Sequence, residues 1–218
     1  MQAQLFKITV SPSIGAVSAK YLAPQQPTCI LTLAHGAGAG MDHVFMETLA
    51  EALAHNGIAT LRFNFPFTEQ QKRRPDTPAV AQATIAAAIE KVQELNPTLP
   101  LFLGGKSFGG RMSSQYLAAH ASAAARGIIF FGFPLHPAGK PAVDRAEHLH
   151  AIAVPMLFLQ GTRDALATLD LLKGVCASLS NATLATFEGA DHSFKAGKRD
   201  VMSWLVAETG HWVKKVLQ

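Results

Sequence analysis

Hydrophobic residues along this chain fall into short solid runs that alternate with stretches of helical spacing. The apolar runs predict strands at residues 29–34, 58–64, 101–103, 127–132, 155–160 and 183–187. Apolar spacing near 3.6 predicts helices at residues 44–55, 78–95, 108–120, 166–178 and 199–217. Solid apolar runs are typical of strands buried on both faces. We therefore predict an α/β fold, a three-layer α/β/α sandwich with a mostly parallel sheet and right-handed crossovers.

The ends and connections of this pattern indicate a single domain over residues 1–218. A turn at residues 11–13 joins two runs of alternating character, residues 5–10 and 16–22, which predict an N-terminal hairpin. The chain shows no internal repeat, low-complexity tract or flexible linker. The connection over residues 133–154 is too short for a helical cap domain, so we expect an open site without a lid.

Composition and charge narrow the class of protein. The apolar share is 49% and the charged share is 16%, which excludes a disordered chain, a coiled coil and a fibrous repeat. The net charge of +4 is modest and scattered, so we expect neither a nucleic-acid partner nor a membrane partner. The longest uncharged stretch, residues 22–41, is interrupted by prolines and glycines and does not predict a membrane span.

The cysteines and the N-terminus indicate the compartment. Cys29 and Cys176 lie far apart in apolar surroundings, which predicts buried free thiols, and there is no Cys/His cluster for zinc. The first residues contain no basic stretch followed by an apolar one, so we expect no signal peptide. We therefore expect a cytoplasmic protein that uses no metal and no organic cofactor.

The strongest local motif is a G-x-S-x-G sequence centred on Ser107. It lies between a predicted strand and a predicted helix. A serine in so tight a turn adopts strained backbone angles, and Gly105 and Gly109 remove the Cβ atoms that would clash there. The turn exposes the hydroxyl, and the Phe108 amide opens a helix whose N-terminal end favours an oxyanion. The alternative is a plain βα turn in which the glycines serve only close packing.

A serine nucleophile needs a histidine base, and the histidine needs a carboxylate to orient it. Asp164 follows the strand at 155–160, and His192 follows the strand at 183–187. Both loops lie at the sheet edge where Ser107 is expected, and the order Ser, Asp, His is that of a nucleophile elbow. Asp144 is a second candidate acid, and we expect Asp191 to shape its loop. An ordinary surface histidine is the alternative for His192.

The loop His35-Gly-Ala-Gly-Ala-Gly40 follows the first parallel strand and is built of small residues. Its backbone can approach a ligand closely, and we expect the Ala37 amide to form an oxyanion hole together with the Phe108 amide. A phosphate-binding loop is disfavoured because neither a G-x-x-x-x-G-K-[ST] motif nor a G-x-G-x-x-G motif with a distal acid is present.

Taken in order, the segments HGAGAG, GGKSFGG, QGTRD and DHSF resemble the α/β-hydrolase superfamily over nearly the whole chain. More specifically, the segments HGAGAGMDH, RFNFP, RRPD and GGKSFGGR resemble the small dienelactone-hydrolase-like branch of this superfamily. That branch includes bacterial hydrolases, a testis-expressed hydrolase-like protein and a subunit of the NSL chromatin complex. The resemblance implies that Ser107 is the nucleophile, Asp164 the acid and His192 the base.

These residues together predict a serine hydrolase that cleaves small esters or thioesters through an acyl-enzyme. A catalytically silent interaction module, or a peptidase or acyltransferase on the same residues, is the alternative. The substrate is expected to be a small molecule, and the oligomeric state is left open. Basic residues near the expected site predict an acidic acyl group, with a solvated rim as the alternative. They are Lys72, Arg73, Arg74, Arg163 and Lys195, together with Lys106 and Arg111, which flank the serine. His43 is expected either to line the pocket or to make a structural hydrogen bond.

Overall fold

The computed structural model describes residues 1–120 and 124–218, which form one eight-stranded sheet flanked by helices. The strands are β1 Gln4–Ser11, β2 Gly15–Leu22, β3 Cys29–Ala34, β4 Ile58–Phe63, β5 Leu101–Lys106, β6 Ala125–Phe131, β7 Met156–Gly161 and β8 Ala182–Phe187. The helices are α1 Val44–His55, α2 Pro66–Glu69, α3 Pro78–Leu95, α4 Phe108–Ala119, α5 Leu169–Ala177 and α6 Val201–Leu217, with a 3₁₀ helix at Asp144–Ala151.

The strand order across the sheet is β1-β2-β4-β3-β5-β6-β7-β8. The N-terminal hairpin pairs antiparallel with β4, and every pairing from β4 to β8 is parallel. The carboxyl ends of the parallel strands therefore meet at one edge, where loops can converge on a ligand. The predicted α/β fold with a mostly parallel sheet is confirmed.

Two hydrophobic cores lie on opposite faces of the sheet because successive strand residues point to opposite sides. On one face Ile30 packs with residues of α3 and α4 such as Ile85 and Met112. On the other face Leu31 packs with residues of α1 and α6 such as Leu49 and Leu205. All residues of β3 and β4 are buried, so their solid apolar runs reflect cover on both faces.

Helix α5 begins at Leu169, three residues after the predicted start at residue 166, and β5 continues three residues beyond Leu103 to Lys106. Gly104 pairs with Ile129, and a Cβ on Gly104 would come within 2.8 Å of the Ile129 carbonyl oxygen. Glycine thus permits a close approach between neighbouring strands where the sequence alone suggests that the strand has ended. Helix α2 and the 3₁₀ helix were not predicted.

The long connection after β6 contains no helical insertion besides the 3₁₀ helix at Asp144–Ala151. This confirms a fold without a cap domain. Cys29 and Cys176 are both buried free thiols, as predicted, and burial raises the pKa of each to about 11. Across residues 1–120 and 124–218, no helix combines the length and the apolar character that a bilayer crossing requires.

Candidate active site

Ser107 occupies a strained turn between β5 and α4, at φ 51° and ψ −114°. This left-handed backbone is unfavourable for a residue with a side chain and persists only where its surroundings impose it. A Cβ on Gly105 would come within 2.6 Å of the Ala34 carbonyl oxygen, so the turn can close only with glycine there. The predicted elbow geometry is therefore present.

His192 bridges the serine to a carboxylate. Its Nε2 atom lies 2.9 Å from Ser107 Oγ, and its Nδ1 atom lies 2.6 Å from Asp164 Oδ2. An N–H donated from Nδ1 to Asp164 leaves Nε2 free to accept the proton of the Ser107 hydroxyl. The fold thus brings together three residues from the loops after β5, β7 and β8. Chemically, this arrangement can activate the serine oxygen.

Asp144, the second candidate acid, and Asp191 have different surroundings. Asp144 opens the 3₁₀ helix, and His192 is bonded to Asp164 instead. Asp191 Oδ1 accepts the backbone N–H groups of Ser193 and Lys195, at 2.8 and 2.9 Å. The expectation that Asp191 shapes its loop is therefore confirmed.

The Asp164 carboxylate accepts hydrogen bonds from residues that the sequence did not single out. It is buried, with 5% of its surface exposed. Gln160 Nε2 donates to Oδ2 at 2.5 Å, and the Leu166 N–H donates to Oδ1 at 2.7 Å. Gln160 is itself fixed, because its Oε1 accepts the Phe133 N–H at 3.0 Å. These bonds orient the carboxylate toward His192. The sequence signal that could have identified Gln160 is a glutamine at the end of an otherwise apolar predicted strand.

The loop after β3 is anchored by His35, another residue whose role the sequence did not reveal. Its Nδ1 atom donates to the Gly36 carbonyl oxygen at 2.8 Å, while Nε2 accepts the Phe65 N–H at 3.0 Å. Burial lowers the pKa of His35 to about 4, so the neutral ring can serve both roles. The anchored loop presents Ala37, which is exposed and lines the same pocket as Ser107.

Phe108 begins α4 directly after Ser107, as predicted, and its side chain is buried. Its ring makes edge contacts with Phe65 and Phe67, at centroid distances of 5.3 and 6.0 Å. This packing fixes the first turn of α4, whose leading amides point toward the elbow.

A pocket of about 680 Å³ opens above Ser107 and His192. Its wall is mainly apolar and comes from the loop after β3, from α1, from the loops after β7 and β8, and from α6. The residues lining it are Gly36, Ala37, Gly38, Ala39, His43, Val44, Phe45, Met46, Thr48, Lys106, Ser107, Leu166, His192, Ser193, Lys195 and Met202. Its volume is in the range typical of small-molecule sites.

Of the four residues predicted to bind substrate, only His43 lines the pocket. Its Nδ1 atom also accepts the Phe45 N–H at 3.2 Å as the N-cap of α1. Arg73 and Arg74 are exposed between α2 and α3, and Arg111 projects from α4 near Arg145 and His148. Within the described residues, the pocket wall contains none of these three arginines, although two other cations of the predicted set, Lys106 and Lys195, line it.

Metal ligands can be assessed over residues 1–120 and 124–218. No group of three or more His, Cys, Asp or Glu side chains in these ranges is placed to hold a metal ion.

A serine on a strand-to-helix elbow, in a parallel sheet and facing a histidine and an aspartate from later loops, defines the architecture of an α/β hydrolase. The chain matches the alpha/beta hydrolase domain family over residues 27–211, and it belongs to that family. The narrower resemblance to the testis-expressed and NSL-subunit group stays a prediction.

Solved structures share the whole fold. An alpha-beta serine hydrolase homologue from Coxiella burnetii is 21% identical, covers 100% of this chain and 99% of its own, and has a TM-score of 0.75. A serine hydrolase without a lid from Xanthomonas campestris is 22% identical, with coverages of 97% and 95% and a TM-score of 0.75. A dienelactone hydrolase from Anabaena variabilis is 17% identical, with both coverages 99% and a TM-score of 0.77.

Proposed function

We propose that this protein is a serine hydrolase that cleaves esters or thioesters through an acyl-enzyme intermediate. The observation that carries the proposal is the hydrogen-bonded series from Ser107 Oγ to His192 to Asp164, with distances of 2.9 and 2.6 Å, at the base of a pocket. Membership of a hydrolase family supports it. Similar folds described as esterases, such as the esterase domain of a Rhodothermus marinus protein and a cold-adapted esterase from an Arctic intertidal metagenomic library, agree with this class of reaction.

The proposed reaction has two halves. His192 takes the hydroxyl proton as Ser107 Oγ attacks the carbonyl carbon, and Asp164 stabilises the imidazolium that forms. The amides of Ala37 and Phe108 hold the negative oxygen of the tetrahedral intermediate. The intermediate collapses, the alcohol or thiol leaves with the proton from His192, and the acyl group remains on Ser107. Water, activated by the same histidine, then releases the acid and restores the serine.

We propose an apolar acyl group, in place of the acidic one that Arg73 and Arg74 led us to expect. The exposed surface of the pocket above Ser107 is mainly apolar, and Phe45, Leu166 and Met202 contribute to it. Each methylene removed from water contributes about 0.8 kcal/mol, so an acyl chain that extends along this wall gains affinity with length. The described connection after β6 forms no lid, which supports soluble substrates over aggregated lipid.

The test combines active-site labelling with an ester series. We expect a fluorophosphonate probe to add one label to the wild-type chain and none to Ser107→Ala, as measured by intact mass. Among p-nitrophenyl esters, kcat/KM is expected to rise about threefold to fourfold per methylene until the pocket is full. A folded wild-type chain that stays unlabelled would overturn the proposal. A flat chain-length series with normal labelling would remove only the apolar acyl preference.

A further inference from the structure

Lys106 is a basic group that the proposed reaction does not use. It ends β5 and directly precedes Ser107, and its side chain is only partly exposed. Its Nζ atom donates to the backbone carbonyl oxygen of His192 at 2.6 Å and lies 5.3 Å from the centroid of the Phe194 ring. From the sequence alone, Lys106 is one of the cations near the expected site that predict an acidic acyl group, with a solvated rim as the alternative. The structure instead bonds it to the residue that contacts the serine hydroxyl.

The surroundings of the ammonium explain why this contact is specific. A Cβ on Gly132, just beyond β6, would lie 3.1 Å from Nζ, so the group is enclosed from that side. Asp164 and Asp191 face it from the loops after β7 and β8, and their charges favour its charged form. Burial outweighs them and lowers the pKa of Lys106 to about 8. In the described residues no carboxylate oxygen lies within 4.0 Å of Nζ, so the His192 carbonyl is its direct partner.

The contact joins two parts of the molecule that differ in rigidity. Ser107 follows a strand in the centre of the sheet, whereas His192 lies in the connection over residues 188–200, which contains neither helix nor strand. Such connections open more readily than core strands. The bond from Lys106 attaches His192, through its own carbonyl, to the residue adjacent to Ser107. A charge-assisted bond of this length is about twice as strong as a neutral one.

We propose that Lys106 is a positioning residue: its ammonium, bonded to the His192 carbonyl and packed on the Phe194 ring, sets the distance between His192 Nε2 and Ser107 Oγ. The proposal rests on the proposed function, in which His192 is the base. A misplacement of about 1 Å at such a site can cost about 100-fold in rate. Lys106 is bonded to His192 and not to the serine hydroxyl, so its loss lowers the rate of the chemical step. Although Lys106 also lines the pocket, we expect the affinity for an uncharged substrate or probe to change little.

The pH dependence follows from the charge. Below about pH 8 the ammonium is protonated and holds both partners. Above that pH it loses its proton, the cation–π contact disappears and the bond to the carbonyl weakens, so serine reactivity declines. The titratable groups that share its surroundings are Asp164, Asp191, His192 and, in the wall of the same pocket, Lys195. An arginine at position 106 stays charged throughout this range and moves the decline to higher pH.

The experiment measures saturation kinetics of fluorophosphonate labelling on the full chain. For Lys106→Met we expect the maximal labelling rate to fall about 10-fold to 100-fold, with the probe dissociation constant within about twofold. Lys106→Arg is expected to recover most of the rate. Lys198→Met, which removes an exposed lysine from the same connection, serves as the matched control and should label as the wild type does.

Two further readouts keep the proposal falsifiable. A folded Lys106→Met variant with the wild-type labelling rate overturns it, and so does an alkaline decline at the same pH in wild type and Lys106→Arg. The second result does not need the methionine variant to fold. If the wild-type chain is not labelled, the proposed function fails. The positioning role of Lys106 is then tested separately by the downfield NMR signal of the His192 Nδ1 proton. Its loss in Lys106→Met supports positioning, and an unchanged signal overturns it.

Discussion

Two serine–histidine pairs occur in the described residues, and only one of them has the surroundings of a nucleophile. Ser107 Oγ lies 2.9 Å from His192 Nε2, and Ser114 Oγ lies 2.7 Å from His148 Nε2. The shorter contact belongs to the pair whose serine is fully buried. Distance between the two side chains therefore does not identify the reactive serine.

The two histidines differ in the charged group that lies near the ring. Asp164 accepts from Nδ1 of His192 and can stabilise a positive imidazolium. For His148, burial and then the positive charge of Arg111 lower the pKa to about 4, so a proton taken from Ser114 would be poorly held. An aspartate can stabilise a positive charge on His192, whereas burial and an arginine keep His148 neutral.

The serines differ in their backbone and exposure. Ser107 lies in a left-handed turn and lines the pocket, while Ser114 is fully buried inside α4, where its hydroxyl donates to the Arg111 carbonyl oxygen at 2.8 Å. Strain therefore accompanies the serine that must reach a substrate, and regular helix accompanies the one that only packs. The comparison shows that the third group and open space define the site.

The largest expected effect separates the two serines. Ser107→Ala is expected to lower kcat for ester hydrolysis by about 10⁶-fold, because the nucleophile is removed. Ser114→Ala should keep kcat within about threefold and lose about 1 kcal/mol of stability with its hydrogen bonds. Ester turnover and urea unfolding of both variants measure this. Comparable losses of turnover in the two variants would break the comparison.

The second effect concerns the group behind each ring. Asp164→Asn is expected to reduce kcat by about 10⁴-fold, because an amide cannot stabilise the imidazolium and favours the wrong tautomer. KM should change little. His148→Gln, the corresponding change at the other pair, is expected to leave turnover intact. Steady-state kinetics with one soluble ester measures both, and an active Asp164→Asn enzyme would contradict the proposed role of Asp164.

The third effect is a dependence of stability on pH. Burial lowers the pKa of both His35 and His148 to about 4, below the value near 6.5 of an unfolded histidine. Between these values the unfolded chain binds more protons, so the free energy of unfolding falls as pH drops from about 6.5 toward 4.

We expect His148 to account for about 2 kcal/mol of this loss, after allowance for partial exposure. Urea unfolding of wild type and His148→Gln at neutral and acid pH tests it. The variant should show a shallower pH dependence than the wild type. Identical slopes would show that His148 is not held neutral.

The smallest expected effect depends on the backbone conformation at the two serine positions. At position 107, where φ is 51°, glycine should be about 1 kcal/mol more stable than alanine, since it lacks a Cβ. At position 114, inside a helix, glycine should be about 1 kcal/mol less stable than alanine. Denaturant unfolding of the four variants tests this reversal of sign. The same sign at both positions would mean that the turn at Ser107 is not strained.

Much of the fold was predictable because strand and helix patterns are local. The bounds of β3, α1 and α3 agree with the predicted ranges, and the order of Ser107, Asp164 and His192 follows from the strands that precede them. The extension of β5 was not predictable, because Gly104 and Gly105 have no β preference of their own. Their place in the sheet depends on neighbouring strands that leave no room for a side chain.

The roles of charged residues required the tertiary structure. Lys106 and His192 are 86 positions apart, and nothing in the local sequence of either indicates that an ammonium meets a carbonyl. Arg73 and Arg74 are the type of residue that commonly binds an anion, yet they lie outside the pocket wall. A long side chain can reach in several directions, so its partner depends on how distant loops pack.

The sequence by itself determined the layered sheet and the strained turn at Ser107, which follow from periodicity and from the backbone freedom of glycine. It also predicted that Asp164 and His192 lie near that turn, because both follow parallel strands of the same sheet. Only the tertiary structure decided that Ser114 also contacts a histidine, one that lies near Arg111, and which lysine bonds to the His192 loop. The physical reason is that hydrogen bonds and buried charges depend on distances of a few ångströms between segments far apart in the chain.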